Sequence, residues 1–227
     1  DNLGWKLAAV LGGGAPEALL DSYDVERGAA ADENIMHSSR STDFITPKSG
    51  AAEAYRDAVL ELAERHALAR PLVNSGRLSR PTVLAGSPLS TPDGAPPAAL
   101  PPGSPPVDAP VLRDDGRPDW LLRHLNADGR FTLLAFDETG LRAPAAPPGV
   151  SLVVVAEREA APGRRVPGVL LDHSGLAARR WGCAPGEALL LRPDGHVAAG
   201  FGAPTPEAVR TAHARALGQA ATAGVAA

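Results

Sequence analysis

The sequence predicts a mixed α/β chain, and three observations carry that expectation. Apolar residues recur at helical spacing through the first seventy positions, a dense Pro/Gly/Ser tract follows, and two continuous apolar runs stand in the second half. Helices come first, then a small mixed sheet with helices packed on it.

Leu3, Leu7, Val10 and Leu11 fall on one helical face, an apolar stripe that is expected to need a partner surface this chain does not contain. Trp5 lies off the centre of that stripe and is expected to pack against a neighbouring element. The glycines 12–14 and Pro16 stop the helix. A second helix is expected from Pro16 through Leu19, Leu20 and Tyr23 toward Ile35, with Gly28 as its weak point, since glycine costs about 1 kcal/mol relative to alanine inside a helix. Asp21, Asp24, Glu26, Arg27, Asp32 and Glu33 make its other side a solvated face rather than a catalytic carboxylate pair. "SSRSTDFITPKSG" reads as a break. A third helix is expected from about Ala51 to Ala69, with Tyr55, Val59, Leu62 and His66 on one side and Glu53, Asp57, Glu61 and Glu64 on the wet one.

Residues 71–117 are expected to be a linker, because proline removes backbone donors and fixes φ, which excludes a sheet interior or an unbroken helix. The second body is expected over 118–220. "DWLLRHL" forms a short turn or helix, and "RFTLLAF" and "VSLVVVA" are buried strands. "SGLAARRWG" supplies a short helix with Ser174 as cap. "EALLLRPDGHVAAGF" is a hairpin around Asp194-Gly195, and a last helix is capped by Thr205 with Pro206 at its first position. The order strand, gap, strand, helix, hairpin, helix is close to a thioredoxin fold.

Composition narrows the function. The formal net charge is -4 with Lys and Arg scattered, so the basic stripe of a nucleic-acid binder is missing. No apolar run reaches membrane-spanning length and no signal segment stands at the N-terminus, so a cytoplasmic chain without membrane partners is expected. No two of the six histidines have HxxH or HExxH spacing, and no metal site is expected. Asp172, His173 and Ser174 are adjacent, which makes them diverge rather than converge as a triad. Cys183 stands alone without a CxxC and is expected to be a small buried filler, which removes a thiol oxidoreductase. "LGGGAPE" follows a helix, the reverse of the dinucleotide-binding order. No catalytic residue is assigned.

The first line carries two spaced motifs, Asn2-Leu3-x-Trp5-Lys6-Leu7 and Leu19-Leu20-x-Ser22-Tyr23-x-x-Glu26-Arg27. They resemble the stretch that closes the FAD-binding domain of the class A flavoprotein aromatic hydroxylases, the family of phenol and 3-(3-hydroxyphenyl)propionate hydroxylases. Arg70 to Ser79 and Leu190 to Phe201 are similar to later segments of that family, the latter in its thioredoxin-like C-terminal domain. There are departures. Gly28 stands where the family usually has an arginine, "DETGLRAPAAPPGV" is a poor helix where a thioredoxin-like domain has its first long one, and "HVAAGF" replaces a more usual Trp-Arg pair.

The resemblance implies an α/β architecture in which residues 1–70 are a helical remnant of an FAD-binding domain and 118–220 a shortened, redox-silent thioredoxin-like domain. It implies Asn2 as a cofactor-binding residue. The complete enzyme would use FAD, NAD(P)H and dioxygen to hydroxylate a phenolic small molecule. The chain itself, opening partway through the pattern, is expected to be a fragment that lacks the rest of the FAD-binding domain, binds no cofactor alone, and gives structural support or homodimer contacts. The alternative is a stand-alone interaction module built on a non-catalytic thioredoxin-like domain.

Overall fold

The computed structural model describes residues 1–73, 81–92, 96 and 99–219. Much of the Arg70–Ser79 segment therefore lies outside the described residues. The chain divides into two compact units, one of Asp1–Val25 with Leu84–Ala227 and one of Glu26–Val83.

The first unit is built on a seven-stranded sheet. Its strands are β1 (Pro110–Leu112), β2 (Pro118–Trp120), β3 (Phe131–Asp137), β4 (Val150–Ala156), β5 (Leu170–Leu171), β6 (Ala188–Leu191) and β7 (Val197–Phe201). They lie in the order β2-β1-β5-β4-β3-β6-β7. β3, β4 and β5 are parallel, while β6, β7, β1 and β2 join antiparallel. β3 is buried along its whole length, as a continuous apolar run requires of a strand covered on both faces. Alternation along the strand sends Phe131, Leu133 and Ala135 to one core cluster and Leu134 and Phe136 to the other. The first cluster packs under helices α1 (Asn2–Leu11) and α6 (Pro206–Ala216), and the second takes Ala177 and Trp181 from α5 (Leu176–Trp181).

The strap before the sheet differs from a plain linker. Leu84, Leu89, Ala109 and Val111 are buried within the first unit, and Pro110–Leu112 is a sheet strand. The proline objection fails because Pro110 occupies the first residue of that strand. Upstream, Thr91 N donates to Ala198 O (2.8 Å), Gly103 N to Val197 O (2.7 Å) and Val197 N to Ser104 O (2.9 Å), so the strap occupies the outer edge of β7. The sheet-bearing body thus begins at Leu84 rather than near Pro118.

The flanking helices leave the leucines of α1 open, as a stripe without its partner surface requires, and change one expectation at α5. α1 buries Trp5 and Lys6, with Ala9 and Val10 packed against the core, while Leu3 and Leu7 are each 38% exposed and Leu11 84%. The leucine stripe faces away from the sheet because Trp5, the larger side chain, takes the core position and sets the helix's rotation. Ser174 does not cap α5. Asp172, 3% exposed, accepts from Leu176 N and Ala178 N, both at 2.9 Å, and its carboxylate displaces the weaker hydroxyl from that task. Thr205 caps α6, accepting from Ala208 N at 3.2 Å.

The second helix starts with a 3-10 turn over Glu17–Leu20 and continues as α2 (Asp21–Ile45), ten residues beyond Ile35. The Ser/Thr-rich stretch is helical and the stop is Pro47, which disfavours a helical residue before it. Glu26, assigned to the wet face, is 2% exposed, and Ser22 is buried with its hydroxyl donating to Leu19 O at 2.6 Å.

In the second unit α3 (Gly50–Arg65) is capped by Ser49, which accepts from Ala52 N. Val59 is buried, whereas Tyr55 and Leu62 are 57% and 49% exposed and His66 is exposed, so the expected apolar side is only partly used. A 3-10 turn over Ala67–Ala69 leads into the short α4 (Arg70–Val73).

Candidate functional site

The turn between β6 and β7 reverses over Arg192-Pro193-Asp194-Gly195-His196, with Gly195 N donating to Arg192 O (2.8 Å) and Arg192 N to His196 O (2.9 Å). Gly195 has φ +84°, and a Cβ there would stand 2.8 Å from Pro106 Cγ. Only glycine meets both conditions. Asn126 supports the turn from a left-handed backbone (φ 56°), its amide oriented to donate to Arg192 O at 3.0 Å and accept from Gly195 N at 3.2 Å.

This turn aims the Asp194 carboxylate inward, where its side chain is 2% exposed. Oδ2 accepts from Asn2 Nδ2 (3.0 Å), Trp5 Nε1 (3.0 Å) and Arg192 Nη2 (2.6 Å), and Oδ1 from Arg192 Nε (3.1 Å). His196 Nδ1 stands 3.4 Å from Oδ1. The two-pronged arginine contact is the strong form of a carboxylate pair, and the guanidinium also lies 5.4 Å from the centroid of the Trp5 ring, within cation–π reach. Burial opposes ionisation of Asp194, but the hydrogen bonds from His196 and Arg192 and the arginine charge outweigh it and hold the carboxyl well below the usual range.

Beside this cluster Trp5 meets Phe131 edge-on (5.6 Å between centroids), and Phe131 meets the His213 ring at 4.6 Å. These rings border an open cleft of about 660 Å³ that also reaches Asp1, Arg130 and Pro193. Burial lowers the pKa of His213, so its imidazole favours the neutral form.

The structure brings Asn2 to this site and engages its side-chain nitrogen with Asp194. It gathers no triad from Asp172, His173 and Ser174, since Asp172 is buried in its cap while the other two are exposed. Cys183 is 5% exposed, its Sγ 3.7 Å from Trp181 O, and burial together with Glu187 pushes its thiol up to about 12. Among the described residues no three His, Cys, Asp or Glu side chains gather as a metal site, and no helix is long and apolar enough to cross a membrane. Sequence reasoning read Asp194 as a turn former and did not single out Arg192. The available signal was the opposite charges flanking Pro193 inside an otherwise apolar hairpin.

For a cofactor, the pertinent feature is the first turn of α1. Asp1 gives it no side-chain cap, and its first intrahelical bond runs from Trp5 N to Asp1 O at 3.2 Å. The N–H groups before Trp5 thus have no acceptor within the helix and carry the positive end of its dipole. Gly4 has nothing within 4 Å of where a Cβ would stand. Such a turn fits a carbonyl or anionic oxygen.

A family model described as an FAD binding domain matches residues 1–38. A 3-(3-hydroxy-phenyl)propionate/3-hydroxycinnamic acid hydroxylase of Mycolicibacterium vanbaalenii is 47% identical over 62 residues, 27% of this chain and 11% of that protein. The aromatic compound monooxygenase YhjG of Bacillus subtilis is 29% identical over 209 residues, 91% of this chain and 36% of that protein. Among solved structures, the flavin-dependent monooxygenase PieE in complex with FAD and substrate has a similar fold, with TM-score 0.63 and 20% identity over 96% of this chain and 43% of that one. The anhydrotetracycline hydroxylase OxyS of Streptomyces rimosus aligns with TM-score 0.54 and 26% identity over 95% of this chain and 38% of that one. The class these likenesses define is the FAD-dependent monooxygenases. Among them the chain resembles the aromatic hydroxylases, and it spans 11% of the length of the Mycolicibacterium relative and 36% of the Bacillus one.

Proposed function

We propose that these residues form the closing segment of the flavin-binding body and the following sheet domain of an FAD-dependent monooxygenase that hydroxylates a phenolic small molecule with NAD(P)H and dioxygen. The observation that carries the reading is the FAD-binding match over residues 1–38, which contain the uncapped first turn of α1. Bound flavin would supply the oxygen chemistry, and the protein orients and shields it. Asn2 stands at the cofactor-facing end of α1. Its side-chain nitrogen is committed to Asp194, so the backbone N–H groups of Leu3 and Gly4 are what this turn offers a flavin oxygen.

The strand order β4-β3-β6-β7, with β3 and β4 parallel and α6 after β7, supports a thioredoxin-like reading of the sheet domain. The non-helical connection over 138–149 supports its being shortened, and the buried lone Cys183 its being redox-silent. That domain gives structural support or homodimer contacts, in a cytoplasmic enzyme. Coverage of about a third of the longer relatives supports a fragment, to which the rest of the FAD-binding domain is the missing partner. The interaction-module alternative is not favoured, because the relatives are enzymes.

The test is to isolate the polypeptide that carries these residues in its native cell, and separately the 227-residue chain alone. The native product is expected to exceed 23.3 kDa, to copurify with FAD and to consume NAD(P)H aerobically with a phenol. The chain alone is expected to lose flavin on gel filtration and to leave NAD(P)H unoxidised. A flavin-free native product overturns the monooxygenase reading, and turnover by the chain alone overturns the fragment reading.

A further inference from the structure

We infer that Asp194, on the turn between β6 and β7, is a positioning residue for the first turn of α1. Its functional meaning rests on the flavin-facing reading of that turn. Asn2 and Trp5 are three residues apart, so their side chains rise from one side of the helix, and both donate to the same carboxylate oxygen at 3.0 Å. Two contacts one turn apart fix a helix end against both rotation and sliding.

The carboxylate is itself held firmly. Arg192 grips both its oxygens, Gly195 and Asn126 fix the turn, and the side chain has almost no exposure. Arg192 in turn lies against the Trp5 ring, so helix and hairpin share one buried polar centre. The exposed Leu3 and Leu7 cannot supply that anchoring from the opposite side. The β6–β7 hairpin, nearly two hundred positions along the chain, thereby sets where the flavin-facing N–H groups of α1 stand, without Asp194 touching the cofactor.

The test uses the 227-residue chain, with amide hydrogen exchange and the indole N–H resonances of Trp5, Trp120 and Trp181 as readouts. Asn2→Ala removes one donor and leaves the Arg192–Asp194 pair intact. Asp194→Asn weakens both helix contacts, and Trp5→Phe assigns the Trp5 resonance by its disappearance. In the first two variants the α1 amides are expected to exchange roughly 10- to 100-fold faster, the equivalent of one hydrogen bond to a charged group, with β6 amides unchanged in Asn2→Ala. The Trp5 indole resonance is expected to shift, while that of Trp181, whose nitrogen has no acceptor among the described residues, stays.

Should Asp194→Asn loosen the whole unit, Asn2→Ala decides: acceleration confined to α1 supports the inference, and unchanged α1 exchange overturns it. FAD retention by the native polypeptide separates the two readings. If no FAD copurifies with it while the exchange pattern holds, the flavin-facing reading is lost and the clasp stands. If FAD copurifies and α1 exchange is indifferent to both variants, the clasp alone is lost.

Discussion

Arg192 is 1% exposed, and Asp194→Ala would leave its guanidinium buried without its principal counter-charge. Breaking such a pair by removing one partner costs about 3–5 kcal/mol, and a urea melt of the variant is expected to show a loss of that size. The acid dependence follows from the same carboxylate. Its folded pKa is depressed, so its stabilisation is present above the unfolded value of about 3.9 and fades as pH falls below it toward the folded value. Asp137 acts in the same direction: burial opposes its ionisation, but the N–H groups of Thr139, Gly140 and Arg142 outweigh that and lower its pKa. His213 brings a second window. Burial lowers its folded pKa, so the unfolded chain takes up its proton first and stability declines as pH drops below about 6.5. Melting temperatures at pH 7 and pH 5.5 are expected to differ less in His213→Phe than in the parent. Cys183, its thiol pushed up to about 12, is expected to resist alkylation at pH 8 until the protein unfolds.

At the scale of single elements, Gly28 lies inside α2 with nothing within 4 Å of a Cβ position. Gly28→Ala is expected to stabilise by about 0.5–1 kcal/mol in thermal or urea melts, since alanine relieves the glycine penalty and meets no neighbour. Asp172→Ala is expected to cost about 1–2 kcal/mol, because α5 loses its cap and Leu176 N and Ala178 N lose their acceptor. These elements also show what the sequence disclosed. β3 and β4 were legible because an unbroken apolar run has few other uses, and the β6–β7 hairpin because Asp-Gly suits a tight reversal. The buried face of α1 was legible only in part: Trp5 was expected to pack against a neighbour, but nothing in the periodicity placed the fully buried Lys6 beside it. The Asp194 centre was not legible: an aspartate in an Asp-Gly pair is explained by the turn alone, and the residues it holds lie 192 and 189 positions away.

For the whole molecule, the uncovered apolar residues set the behaviour of the isolated chain. Leu3, Leu7 and Leu11 on α1, and Ile35, Met36, Tyr55, Leu60 and Leu62 in the second unit, are all exposed by a third or more. The chain is expected to bind a hydrophobic dye and to self-associate as concentration rises. Leu7→Gln with Leu11→Gln is expected to reduce both in sedimentation and fluorescence assays while lowering the melting temperature little, because neither side chain is in the core. Retained association in that variant would assign it to other residues.

The bonds from Asn2 and Trp5 to Asp194 also bear on the order in which the polypeptide is made. A ribosome adding 5–20 residues per second needs roughly 10–40 s to reach the hairpin after releasing the opening helix. During that interval Trp5 has neither its carboxylate acceptor nor the Phe131 edge it rests on. α1 emerges well before its anchor and is among the last of these elements to settle, and a chaperone that shelters nascent chains would find its binding site there.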